Sequence, residues 1–440
     1  MSALARYFKF HGKQVSGYDK TETTLTKQLT TEGIRVHYED NPELAPKNAQ
    51  IVIYTPAVPK DHKELDYYRQ NNYPVLKRSD ALGLITESSF NIGIAGTHGK
   101  TTITTMVAHI LRDTGYGCNA FLGGISVNYN SNFWSDERNV SVIEADEFDR
   151  SFLKLSPDIA IITAIDADHL DIYGDEETMH QAFIDFSARI KPGGMLISKY
   201  GLPKGAQLKG DRHITYSLDN KQADVYATNI KMDRGSYQFD ISMKDWTLKN
   251  VVLNMGGAHN LENVIAAISV AHQLEIDDNK IRDAVSSFKG VRRRFEYIIK
   301  NENLVFVDDY AHHPEELRAL ISGAKSLFSD LYCTVIFQPH LFTRTRDFQA
   351  EFAESLGLAD KVYLLPIYPA REKPIEGVTS AIISDKMDKE KVSLVSKDEI
   401  PAIIKDKVQK GINKELLIVA GAGDIDTLVI PIRDILNKKD

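Results

Sequence analysis

Short apolar runs rich in β-branched residues alternate, nearly from end to end of the chain, with stretches whose apolar residues recur every three or four positions. The continuous runs predict strands buried on both faces, and the three-to-four spacing predicts helices with one apolar side. Their regular alternation is the pattern of parallel sheets covered by helices, so the expected fold class is α/β. Met1 to His11 reads as a helix with Leu4, Tyr7 and Phe8 on one face. Strands are expected at Gln14 to Gly17 and at Ile51 to Tyr54, the second running into the loop Thr55-Pro56-Ala57-Val58-Pro59. A doubly wound unit ordinarily opens with a strand and a glycine-rich turn. Residues 1–88 open on a helix instead, and are expected to form an incomplete Rossmann-like domain.

A second unit, 89–293, begins with the strand Asn91 to Ala95 and carries further strands at Val140 to Ile143 and Ile159 to Ile165. Its tail changes period. Tyr237, Phe239, Ile241 and Met243 alternate with polar residues after Asp233-Arg234-Gly235, which predicts an antiparallel hairpin attached to the parallel sheet. A third unit, 294–440, returns to the parallel pattern with strands at Leu304 to Val307, Cys333 to Phe337, Lys361 to Leu365, Val392 to Val395 and Leu416 to Ala420. The expectation is therefore three domains, the last again Rossmann-like.

Composition narrows the function classes. A chain of 440 residues with 42% apolar content can bury several cores, which excludes a disordered or fibrous protein. With 53 basic and 61 acidic residues the net charge is −8, so no global positive field draws the chain to nucleic acid or anionic lipid. The apolar runs fall well short of the roughly 18 residues that suggest a membrane span. Cys118 and Cys333 are too few for a disulfide framework or a zinc site and read as buried small hydrophobes, which makes a reducing cytosol the natural setting.

One segment carries most of the chemistry. Gly96-Thr97-His98-Gly99-Lys100-Thr101-Thr102 lies between an apolar strand and a helix whose apolar residues Ile103, Met106, Val107, Ile110 and Leu111 share a face. This is the setting of a phosphate loop. Glycines let backbone N–H groups converge on phosphate oxygens, Lys100 can neutralise the β and γ phosphates, and the Thr101 hydroxyl can bind Mg²⁺. Ile94 stands where the usual pattern has its first glycine, and Gly96 takes a place inside the loop. Two acidic clusters follow at strand ends: Glu144-Ala145-Asp146-Glu147, and Asp166-Ala167-Asp168-His169-Leu170-Asp171. Ligands of open α/β sheets bind beyond such ends, so Glu144 is a candidate Mg²⁺ ligand and His169 a candidate to orient or ligate a second ion. Solvated acidic loops are the alternative reading.

In the third unit, Asp308-Asp309-Tyr310-Ala311-His312-His313-Pro314 leaves a strand and enters a helix, with Pro314 where its missing N–H costs nothing. His312 and His313 are candidates for contacts to a substrate carboxylate or amino acid, one of them serving structure only. His340, Arg344 and Arg346 follow another strand end, and the arginine fork suits carboxylate or phosphate. Solvated surface arginines are the alternative.

Taken with GAHNLEN (Gly257 to Asn263), RRRF (Arg292 to Phe295), QPHLFTRTR (Gln338 to Arg346) and GAGDI (Gly421 to Ile425), these segments resemble the ATP-dependent Mur ligases of peptidoglycan synthesis over nearly the whole chain. The resemblance implies three domains that bind, in order, a UDP-sugar, ATP and the incoming amino acid. Within the family the L-alanine-adding branch is most similar, which implies ligation of L-alanine to UDP-N-acetylmuramate through an acyl phosphate, with ATP and Mg²⁺ as cofactors. It further implies that Asn263 and Arg294 hold ATP. His340 and Arg344 are expected to act on the acyl-phosphate or amino-acid side when the third domain closes over ATP.

Family members carry a strand and a G-x-G-G-x-G turn just before a segment like Met1-Ser2-Ala3-Leu4-Ala5, so Met1 is expected to be an internal methionine of a longer protein. No lysine occurs from Asp171 to Ile190, where sister ligases carry a carbamylated one, which fits the alanine-adding branch. Leu341 stands where many alanine-adding members have a basic residue. Competing readings are a ligase that returns a ready-made peptide to UDP-N-acetylmuramate and, from another class, a P-loop switch ATPase.

Overall fold

A computed structural model describes residues 1–166, 173–370, 372–411 and 414–437. The chain starts with α1 (Ser2–Phe10), whose Leu4 is buried. Four short strands follow: β1 (Ser16–Tyr18), β2 (Arg35–His37), β3 (Val52–Tyr54) and β4 (Val75–Lys77). They alternate with α2 (Thr24–Thr31), α3 (Lys63–Gln70) and α4 (Arg78–Ser88). β1 pairs in parallel with β2, and β3 with β4, as two separate two-stranded sheets.

The large sheet comes next. β5 (Phe90–Ala95) leads through residues 96–99 into α5 (Lys100–Asp113). β6 (Asn119–Ser126), β7 (Ser131–Trp134), β8 (Val140–Glu144), β9 (Ile159–Ile162), β10 (Met195–Lys199), β11 (Arg212–Ser217), β12 (Val225–Asp233), β13 (Ser236–Met243) and β14 (Trp246–Leu253) complete ten strands in the order β14-β13-β12-β11-β10-β9-β5-β8-β6-β7. β5 lies between β8 and β9 and is parallel to both, with Ile94 opposite Glu144 and Ala95 opposite Ile162. The tail is antiparallel as expected, because Arg234 and Gly235 form a two-residue turn with φ of 42° and 77°, and so short a link can join only antiparallel neighbours. Helices α6 (Glu176–Ser187), α7 (Ala258–Gln273) and α8 (Asp278–Ser287) belong to this part of the chain.

One expected strand is shorter than its apolar run. β9 stops at Ile162 rather than Ile165 because Thr163 and Ala164 turn aside to bind the loop after β5: the Thr163 hydroxyl donates to the His98 carbonyl, and Thr97 N–H donates to the Ala164 carbonyl at 3.1 Å. Apolarity records burial: Thr163 and Ile165 are buried, and beyond the Thr163 N–H bond to the Ala95 carbonyl at 3.0 Å the chain leaves the sheet.

The last part is a six-stranded sheet ordered β15-β16-β20-β17-β18-β19, from β15 (Glu296–Lys300), β16 (Leu304–Asp309), β17 (Tyr332–Phe337), β18 (Lys361–Leu364), β19 (Val392–Leu394) and β20 (Glu415–Ala420). All its pairs are parallel except β15 with β16. α9 (Pro314–Leu327) follows β16, and α10 (Phe342–Asp347) follows β17. Both cysteines are buried and free. Among the described residues, no helix is long and apolar enough to cross a membrane. The chain divides into two compact units, 1–228 with 240–249 and 262–285, and 229–239 with 250–261 and 286–440.

Within the first unit, α4 is clamped to the 3-10 helix Phe148–Lys154. Leu82 and Ile85 join Phe152 in one apolar cluster, and Phe152 stacks on Phe186 at 5.0 Å. Thr86 accepts the Ser156 N–H at 3.2 Å, and Gly83 lies so close that an added Cβ would sit 2.7 Å from the Lys154 carbonyl oxygen. A glycine inside a helix ordinarily costs about 1 kcal/mol relative to alanine, yet here the backbone approach requires it. Gly83→Ala should therefore lower stability by about 1–3 kcal/mol through overpacking, despite its better helix propensity. A urea midpoint that rises in this variant would show that the two helices are not held at this contact.

Candidate active site

Three strand ends meet at the phosphate loop. Gly96 and Gly99 take φ of 131° and 80°, which L side chains rarely adopt, and a Cβ on Gly99 would stand 2.9 Å from the Asn263 amide oxygen. The loop is thus shaped by bare backbone on one side and by Asn263 of α7 on the other. Lys100, the first residue of α5, donates to the Gly96 carbonyl at 2.6 Å and to Glu147 Oε1 at 2.7 Å. Glu147 is buried. Thr97 accepts the Asp166 N–H at 3.2 Å, and His98 stands 3.6 Å from the Asp166 carboxylate, both side chains being exposed. Thr102 is buried in the first turn of α5.

Thr101 and Glu144 come together as the sequence reading requires. The Thr101 hydroxyl donates to Glu144 Oε1 at 2.9 Å, and Gly123 N–H donates to Oε2 at 3.0 Å. Burial raises the Glu144 carboxyl above its usual range, against the opposing effects of the Thr101 bond, the Lys100 charge and the Gly123 bond. A partly buried carboxylate beside a hydroxyl is an all-oxygen donor set that a hard cation would relieve, which fits Mg²⁺. Among the described residues, no three His, Cys, Asp or Glu side chains gather as a metal cage. Mg²⁺ usually keeps several waters and phosphate oxygens, so one or two protein ligands suffice. His169 lies outside the described residues.

The second unit gathers another polar cluster beyond β16 and β17. His312 Nδ1 is 3.0 Å from the Tyr310 carbonyl oxygen and 3.3 Å from Glu316, and its ring lies 5.9 Å from that of His340. His340 stacks on Tyr368 at 5.9 Å. Both imidazoles titrate below the ordinary range, first through burial; for His340 the His312 and Arg344 charges act in the same sense, and for His312 those of Arg344 and Arg294. Among the described residues, His340 Nδ1 and Arg344 Nη1 are buried without a hydrogen-bond partner. An unpartnered guanidinium N–H beside two neutral imidazoles suits an anion. Arg294, further out, is exposed and lies 5.8 Å from the Tyr310 ring. His313 caps α9 and packs edge-on against Phe348 at 4.9 Å, a structural role. Arg346 pairs with its neighbour Asp347 and stays exposed.

Sequence reasoning assigned no role to three residues. Glu147 pairs with Lys100, and its position three after Glu144 was the signal available. Glu372 accepts the N–H groups of Phe342 and Thr343 at 2.6 and 3.1 Å and so caps α10 from 30 residues away, which no local pattern reveals. Leu341 has φ of 73° and ψ of 135°, a conformation that costs a side-chain-bearing residue on the order of 1–3 kcal/mol. Its N–H donates to the Tyr368 carbonyl at 3.0 Å, which holds the strained turn between His340 and α10.

Residues 1–89 match the Mur ligase family, catalytic domain; 94–271 match the Mur ligase middle domain; and 293–423 match the Mur ligase, glutamate ligase domain. The chain belongs to the Mur ligase family. It is 45% identical over 431 residues to a UDP-N-acetylmuramate–L-alanine ligase of Christiangramia forsetii, covering 97% of this chain and 92% of that one. With a ligase of the same description from Phocaeicola vulgatus it shares 46% identity over 447 residues, covering 100% of this chain and 96% of that one. Among solved structures, the UDP-N-acetylmuramate–alanine ligase of Thermotoga maritima matches with a TM-score of 0.80 at 28% identity, covering 99% of this chain and 95% of that one. A murein peptide ligase of Psychrobacter arcticus shares the fold, with a TM-score of 0.64 at 22% identity over 100% of this chain and 96% of that one.

The strand end that opens this Mur ligase's second cluster carries a pH-dependent load. Asp308 is buried, its Oδ1 has no hydrogen-bond partner among the described residues, and its carboxyl is pushed up to about 7. Burial is the chief cause, with Glu296, Asp309 and Asp426 adding to it and Arg293 opposing. The folded state therefore keeps a proton that the unfolded chain gives up near pH 4, so stability falls as pH rises from about 4 through about 7. Asp308→Asn should match the parent at pH 4 and exceed it above pH 7.5 by roughly 2–4 kcal/mol. Denaturant titration of both proteins across that range checks this, and parallel pH profiles would refute it.

Proposed function

We propose that this chain is the cytoplasmic ATP-dependent ligase that joins L-alanine to UDP-N-acetylmuramate in peptidoglycan synthesis. The observation that carries this reading is 45–46% identity across almost the entire chain to ligases of that description, together with the meeting of Thr101 and Glu144 beside the phosphate loop.

The chemistry begins with a poor acyl donor. The muramyl carboxylate attacks the γ-phosphorus of ATP; the bond from that phosphorus to the β–γ bridging oxygen breaks, and ADP leaves. The amine of L-alanine then attacks the acyl carbon, phosphate departs with its electron pair, and the ammonium proton passes to a base. Phosphoryl transfer depends mainly on positioning and on charge neutralisation. Lys100 supplies a positive charge at the β and γ phosphates, and the backbone N–H groups of residues 96–102 cradle their oxygens. Glu147 and the Gly96 carbonyl fix the Lys100 ammonium within the loop. Asn263 stands against the loop at Gly99 and contacts ATP from the α7 side. Magnesium held by Thr101 and Glu144 would neutralise the charge that develops on the phosphate oxygens. In the second unit, Arg344 receives the carboxylate of L-alanine, while His312 and His340, kept neutral by burial, can accept a proton from its ammonium.

Lys100→Ala and Glu144→Ala should fold as the parent does and lose alanine-dependent ADP release by at least about a hundredfold, the scale set by removing one transition-state charge contact. Arg344→Ala should slow amide formation by about ten- to a hundredfold and leave ATP affinity unchanged. Coupled ADP assays with UDP-N-acetylmuramate, supplied with L-alanine or a wall tripeptide, test the assignment. Turnover that prefers the tripeptide would favour peptide recycling, and ATP hydrolysis independent of the sugar nucleotide would favour a switch ATPase.

A further inference from the structure

A small cleft, largely open to solvent, lies in the first unit beside the phosphate-loop carboxylate. Its wall includes Glu144, Asp146, Ser151 and Phe152 from the strand end and 3-10 helix, and Arg78 and Ser79 from the first turn of α4. The charges are unusual for a site that must take an anion. Glu144 and Asp146 would repel a carboxylate, and the Ser151 hydroxyl already donates to the Asp146 carbonyl at 2.9 Å. Arg78 is the cation of this wall, it is half-buried, and among the described residues it forms no hydrogen bond or ion pair. The neighbouring Asp80 is already engaged with Lys154 at 3.4 Å.

The two halves of this wall are fixed to each other. Gly83 against Lys154, Thr86 against Ser156, and the apolar contact of Leu82 with Phe152 hold the start of α4 at a set place relative to Glu144. A guanidinium presented by a rigid helix end can therefore select a planar anion by position as well as by charge.

Resting on the ligase reading above, we propose that Arg78 is the substrate-binding residue that grips the muramyl carboxylate, holding the oxygen that attacks the γ-phosphorus next to Glu144. Phosphoryl transfer needs that oxygen within a few ångströms of the phosphate loop's ligand, and this pocket adjoins the loop through Glu144 and Thr101. Arg78 offsets the repulsion of Glu144 and Asp146 that an incoming carboxylate would meet. The group recognised is thus the lactyl carboxylate, which distinguishes UDP-N-acetylmuramate from UDP-N-acetylglucosamine, and Arg78 sets that specificity.

The test is calorimetric binding of both sugar nucleotides to the full chain and to its Arg78→Ala and Arg78→Lys variants, with thermal melting to verify folding. Arg78→Ala should weaken UDP-N-acetylmuramate roughly ten- to a hundredfold, the loss expected for one charge-assisted bidentate contact, and leave UDP-N-acetylglucosamine unchanged. Arg78→Lys keeps the charge without the fork and should fall between parent and alanine variant. Equal weakening of both nucleotides would assign Arg78 to their shared diphosphate and overturn the proposal, as would no change in either. A parent chain that fails to add alanine to UDP-N-acetylmuramate would overturn the ligase reading itself; a parent that ligates normally while the variants lose both nucleotides alike would overturn only the role of Arg78.

Discussion

The position of β5 between β8 and β9, parallel to both, is the constraint from which the phosphate site follows. Parallel pairing aligns the three carboxyl ends, so Ala95, Glu144 and Ile162 finish on one edge of the sheet. The loop after β5 then emerges between the acidic end of β8 and the turn after β9. Lys100 meets Glu147, Thr101 meets Glu144, and Thr97 meets Ala164 without any of these residues being near in sequence. A slip of one residue in the β5–β8 pairing would turn Glu144 to the other face of the sheet. The buried faces of the three strands, with Ile92, Ile94, Val142, Ile161 and Ile162 almost wholly inaccessible, hold that register.

Much of this was legible in the chain because the informative signals are local. The strand, glycine loop and amphipathic helix around Lys100 lie within about two dozen residues, and the apolar runs of β16, β17 and β20 announce a buried parallel sheet. What was not legible depends on partners distant in sequence. β6 contains Gly123 and Gly124, which break a strand pattern, and it persists because β8 pairs along its first half. β15 is an edge strand of intermediate burial with no alternation to betray it. The capping of α10 by Glu372 and the pairing of Glu147 with Lys100 are tertiary events. No local pattern singles out Arg78, and only the packing of α4 on the Phe148–Lys154 turn gives it a place beside Glu144.

The two polar clusters manage buried charge in different ways. Around the phosphate loop, the buried Glu147 has Lys100 and the half-buried Glu144 has Thr101 and Gly123 as donors. At the end of β16, Asp309 is likewise met by the N–H groups of Phe295 and Ala311, both at 2.7 Å, whereas the Asp308 oxygen Oδ1 is not met at all among the described residues. Adjacent acids on one strand point to opposite faces, so only one of the pair can share the turn's N–H groups. The other is left to be neutralised by a proton or by Arg293, whose guanidinium is already directed to Asp426 and the Gly421 carbonyl.

The left-handed backbone at Leu341 has a consequence for how this enzyme can vary. A turn held in an uphill conformation by Tyr368 and capped through Glu372 makes those two residues remote supports for His340 and Arg344. A change at Tyr368 or Glu372 can shift the cluster while every residue within it remains intact. Conversely, glycine at 341 would relax the turn and raise thermal tolerance while loosening the angle at which α10 offers its arginine. Backbone strain and the placement of Arg344 are therefore set against each other at a single dihedral.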